Sequence, residues 1–115
     1  MNPRRVHELM RKHFPVFSPV EHDWKNIVGT GVATAALLQE LLDAHIGAKD
    51  VLVEVHRNLG AMLSTKEAVS FVCLHIGVGQ IQVANREFNA FVVVAQNGVA
   101  TGWQEQKQFP VEVKT

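Results

Sequence analysis

The sequence predicts an α+β domain: two N-terminal helices packed on one face of a curved, mainly antiparallel sheet of five or six strands. Three observations carry this. Apolar residues recur at helical spacing up to His45, they alternate with a period of 2 after Asp50, and Asn97-Gly98 marks a hairpin between two apolar runs. At 115 residues the chain fits one domain, 1–115. A chain of that size buries roughly two thirds of its unfolded surface, enough for one core without metals or disulfides.

Asn2-Pro3 opens the first helix, with an N-cap side chain followed by proline at the first helical position. Val6, Leu9, Met10 and His13 or Phe14 follow on one side, and Arg4, Arg5, Glu8, Arg11 and Lys12 on the other. The helix must stop before Pro15, whose ring disfavours helical backbone at Phe14. Between residues 14 and 29, Pro15 and Pro19 break regular structure, while Phe17 and Trp24 tie the segment to the core. The second helix runs from about Thr30 to His45. Ala35, Leu38, Leu41, Leu42 and His45 form its apolar stripe, and Gly47 is the expected stop.

Val51, Val53 and Val55 alternate with Leu52, Glu54 and His56, as in a strand with one buried face. Asn58 to Gly60 reads as a turn and Ala61-Met62-Leu63 as a short strand. Val69 to Ile76 is a long apolar run that suits a central strand. A helix competes for it, because Ser64 and Glu67 have capping-box spacing. Gly77 and Gly79 break the chain, Gln80 to Ala84 alternates, and Asn85-Arg86-Glu87 turns it. Ala90 to Ala95, covered on both faces, then leads through a type I′ turn at Asn97-Gly98 into Val99 to Trp103. Pro110 to Val113 is expected as a last edge strand.

Eleven Lys+Arg balance eleven Asp+Glu, which argues against broad electrostatic binding to nucleic acid or anionic lipid. Cys73 is the single cysteine, so no internal disulfide forms and a reducing, cytoplasmic setting is expected. It lies in an apolar run that favours an inert thiol. No signal peptide and no uninterrupted apolar stretch of about 20 residues is visible, so a soluble chain is expected.

Four constellations bear on function. Gly29-Thr30-Gly31 at the mouth of the second helix superficially echoes a dinucleotide fingerprint, but Thr34 stands where a third glycine or alanine would be. A tight turn with close helix packing is the plainer reading, and binding of a simple anion at the helix N-terminus is the functional one. The histidines His7, His13, His22, His45, His56 and His75 lack metal-ligand spacing, so neither metal nor cofactor is expected. Glu54, His56 and His75, if they converge, would make a general base held by a carboxylate, with His22 and Asp23 as a second acid/base pair. Trp24, Phe88 and Trp103 are candidate aromatic walls of a ligand pocket. The plainer readings are a solvated Glu54–His56 face and a hydrogen-bonded core His75. The basic side of the first helix reads as a solvated face.

Val69 to Ile76 and Ala90 to Ala95 together give more apolar strand than two helices cover. This predicts a homodimer with a partner on the second sheet face. The leading expectation is therefore a small non-catalytic binding or interaction module, dimeric, for a protein partner or a small apolar ligand. Antitoxins and immunity proteins are chains of this kind. The alternatives are a cofactor-independent isomerase or hydrolase using a His–carboxylate pair, and an anion or nucleotide binder at Gly29–Gly31.

Overall fold

The computed structural model describes residues 2–15, 24–28, 31–47, 49–56 and 58–105. Helix α1 is Pro3–His13, strand β1 Lys25–Asn26, helix α2 Gly31–His45, strand β2 Asp50–His56 and strand β3 Leu59–Ser64. Helix α3 (Thr65–His75) and strands β4 (Ile81–Asn85), β5 (Ala90–Val94) and β6 (Val99–Gln104) follow. The strands form one sheet in the order β1-β6-β5-β4-β2-β3, with every neighbouring pair antiparallel. The α+β class and the six-stranded antiparallel sheet are as the sequence predicts. The sixth strand, however, is β1, paired with β6 through Lys25 and Asn26. The strand expected at Pro110 to Val113 lies outside the described residues.

The strand expected at Val69 to Ile76 is helix α3 instead. Its N-terminus is closed by a complete capping box. Ser64 Oγ accepts from the Glu67 N–H at 3.1 Å, and the Glu67 carboxylate accepts from the Ser64 N–H at 3.2 Å. Topology makes the same demand. β3 and β4 both run antiparallel to β2 from either side of it, so they are parallel to each other and need a crossover connection. The apolar content of this run then serves the helix's buried face: Ala68, Val69 and Val72 are buried, whereas Lys66, Ser70 and Leu74 are exposed.

The two N-terminal helices do not share a face. On one side of the sheet α2 packs over β5 and β6, and α3 over β2 and β3. Leu38, Leu42 and Val72 meet Val51, Val53, Val83 and Val92 there in one buried cluster. On the other side α1 lies over β2 and β3. Val6 and Met10 pack with Leu52, Ala84, Phe88 and Phe91. The parity of the strands explains this. β2 and β5 carry apolar side chains on both faces, so each face needs a cover, and α1 and α3 supply what two helices on one face would have left open. Gly60 lets α1 approach closely: a Cβ there would stand 3.1 Å from Val6 Cγ1 and 2.9 Å from the Val53 carbonyl oxygen.

The β5–β6 hairpin also departs from the expected type I′ turn. Its loop has three residues, closed by Ala95 N–H donating to the Val99 carbonyl at 2.8 Å and Gly98 N–H to the Ala95 carbonyl at 2.9 Å. Gly98 has φ +90°, whereas Asn97 is not in the positive-φ region, a pattern that fits a three-residue loop ending in a left-handed glycine. A side chain at Gly98 would also overlap Val28.

Candidate functional site

The turn between β4 and β5 is organised by one side chain. Buried Asn85 accepts from the N–H groups of Asn89 and Ala90 at 3.0 and 3.2 Å, and its amide donates to Asn89 Oδ1 at 2.5 Å. The Phe88 N–H donates to the Asn85 carbonyl at 3.1 Å. So braced, Phe88 sits at φ +54°, the one non-glycine residue with positive φ among the described residues. For a bulky side chain this conformation costs about 1–2 kcal/mol. It drives the ring inward, where Phe88 is 5% exposed and stacks obliquely on His13 at 5.3 Å.

Beside that ring is a half-open pocket of about 260 Å³. Its apolar walls are Leu9 of α1, Leu52 and Met62 of the β2–β3 hairpin, and Phe88. Its polar rim is His13, Arg86 and Glu87. A more open and more polar cleft of about 480 Å³, lined by Asn85, Asn89 and Gln104, lies on the α2 side of the same turn.

Phe88, expected as a ligand wall, is thus a wall of the α1-side pocket. Trp103 belongs to the same cluster but lies away from it. Its ring packs on Phe91 at 5.4 Å and Phe14 at 6.2 Å, and its Nε1–H donates to Glu105 at 3.0 Å. Trp24 is half-buried just before β1, and it does not line the pocket either.

The expected convergence of Glu54, His56 and His75 does not occur. His75 ends α3 on the opposite layer. There its Nδ1–H donates to the Phe71 carbonyl at 2.7 Å and its ring packs on Phe71 at 4.7 Å. His56 is exposed at the end of β2, beyond a register shift that follows Glu54, and its Nδ1 accepts from the Asn58 N–H at 3.2 Å. Glu54 finds a different histidine. His7 of α1 reaches down and donates from Nδ1 to Glu54 Oε1 at 3.0 Å, with side-chain exposures of 27% and 13%. A His–carboxylate pair therefore exists, but neither member lines the pocket. Nothing local in the sequence pairs two residues 47 apart.

His22, Asp23, Gly29 and Thr30 lie outside the described residues, while Gly31 opens α2. The basic side of α1 is solvated, with Arg4 and Arg5 both within ion-pair reach of Glu8. Burial pushes the Cys73 thiol above its usual pKa, in keeping with an unreactive cysteine. No group of three or more His, Cys, Asp or Glu side chains that could hold a metal ion occurs among the described residues. Among the same residues no helix is long and apolar enough to cross a membrane.

Sequence reasoning missed Leu9, His13, Leu52, Met62, Arg86 and Glu87 as residues of the pocket, and His7 as the partner of Glu54. One signal was present: Phe88 is an apolar ring inside the otherwise polar stretch Asn85-Arg86-Glu87-Phe88-Asn89. In comparison with known proteins, the chain matches no family model, no curated protein and no solved structure.

Proposed function

We propose that this chain is a small non-catalytic binding module whose ligand site is the pocket between α1, the β2–β3 hairpin and the Asn85–Asn89 turn. The observation that carries this reading is Phe88. A bulky residue is held in a costly backbone conformation by a buried asparagine, and its ring forms one wall of an apolar pocket. Strain of that kind persists only where surrounding structure enforces it, and it clusters at ligand sites. The pocket is smaller than the roughly 300–1,000 Å³ typical of drug-sized ligands, so the reading favours a small metabolite with an apolar body. The enzyme alternative would use His7 and Glu54, and their absence from the pocket lining weighs against it.

The dimer expected from an uncovered sheet face loses that premise, since α1 and α3 provide the extra cover. We propose a homodimer formed instead through the β3 edge. β3 pairs with β2 alone among the described strands, and Leu59 to Ser64 holds no charge and no proline to guard the edge. A cytoplasmic setting fits the lone, partly buried Cys73.

The ligand reading is tested by titrating isopentanol into the wild type, Leu9→Trp and Glu54→Gln while recording NMR shifts. Binding is expected to be lost in Leu9→Trp, whose larger ring fills the pocket, and kept in Glu54→Gln. Loss in Glu54→Gln with retention in Leu9→Trp would move the site to the His7–Glu54 pair.

A further inference from the structure

We propose that the pocket's ligand is a zwitterion with an apolar tail, an α-amino acid with an aliphatic, thioether or aromatic side chain being the simplest case. This rests on the pocket reading above and names its ligand class. Arg86 and Glu87 are adjacent residues of opposite charge, and both line the pocket. They do not neutralise each other: no ion pair joins them, and neither side chain has a hydrogen-bond or ion-pair partner among the described residues. The exposed charges at the start of α1 contrast with this, because Arg4 and Arg5 both gather on Glu8.

A guanidinium and a carboxylate left apart at the mouth of an apolar pocket offer one position to an anion and one to a cation. Arginine presents a planar fork of donors that matches a carboxylate. Glu87 accepts from an ammonium. Leu9, Leu52, Met62 and Phe88 then receive the tail. A simple fatty acid would leave Glu87 facing an anion, and a simple amine would leave Arg86 unanswered. Only a ligand carrying both charges uses the whole rim.

The test is calorimetric titration of the full chain with L-leucine and three analogues that keep its tail. These are 4-methylpentanoate (no ammonium), 3-methylbutylamine (no carboxylate) and isopentanol (neither charge). L-Leucine is expected to bind about tenfold tighter than either singly charged analogue, as hydrogen bonds to charged groups typically provide. Arg86→Gln should weaken L-leucine about tenfold and leave 3-methylbutylamine unchanged. Glu87→Gln should weaken L-leucine and leave 4-methylpentanoate unchanged or tighter. Both side chains are exposed, so neither change threatens folding. Equal binding of L-leucine and isopentanol, with both variants silent, would overturn the zwitterion while keeping the pocket. If no probe, isopentanol included, binds, the pocket reading falls and the zwitterion with it.

Discussion

On the α2/α3 side of the sheet, one apolar cluster runs through both helices and through β2, β4, β5 and β6. On the α1 side the buried cluster is smaller, centred on Leu52, Phe88 and Phe91. That side also holds the part-buried His7–Glu54 pair, the strained Phe88 and the pocket. The α2/α3 layer holds the larger core, bordered by the polar cleft at Asn85, Asn89 and Gln104; the α1 layer sets its polar pair and its apolar pocket beside a smaller core. On the proposed reading, the larger core on one face carries most of the stability and the α1-side pocket carries the binding. Truncations on the two faces should separate these roles.

The largest effect is expected from Leu42→Ala. Leu42 is fully buried between α2 and the sheet, so its loss should cost about 2–5 kcal/mol, read from the shift in urea midpoint. The pocket should still bind isopentanol wherever the variant remains folded. Asn85→Ala should follow, at about 2–3 kcal/mol, because the Ala90 N–H would be left buried without its acceptor. This variant should also lose ligand affinity out of proportion to its stability, since Phe88 would relax from φ +54°. Equal losses of affinity in both variants would erase the distinction between the faces.

Ser64→Ala should cost about 1 kcal/mol by opening the capping box of α3, again without touching the pocket. The smallest effect concerns Cys73. Its thiol pKa is raised by burial, so any stability linked to the neutral thiol is present below the ordinary thiol pKa and is lost as pH rises through the folded value. Alkylation by iodoacetamide near pH 8 should be slower in the folded protein than in urea, followed by mass spectrometry. Equal rates would show an exposed, ordinary thiol.

Much of this fold is written in local patterns. The caps at Asn2 and Ser64 and the stripe of α2 are visible in the chain, because each depends on neighbours a few residues away; β2 is a strand as expected, but not one with a single buried face, since Leu52 is buried as well. The strand expected at Val69 to Ile76 failed because a short apolar run has no period of its own, and the capping box was the better signal. The opposite placement of α1 and α2 was hidden for a different reason. The continuous apolar run of β5 calls for cover on both faces, but nothing in the pattern says which helix supplies it, and the burial of Leu52 on the second face of β2 shows only in the packing. The site was least legible. Phe88 reads as an aromatic wall in the sequence, but Leu9, Met62 and Arg86 come from three separated segments, and only the folded chain brings them to one pocket.

Methyl NMR during an L-leucine titration tests the division of labour most directly. Shifts are expected at Leu9, Leu52 and Met62, with Leu38, Leu42 and Val72 unmoved. Shifts concentrated on Leu38, Leu42 and Val72 would contradict it.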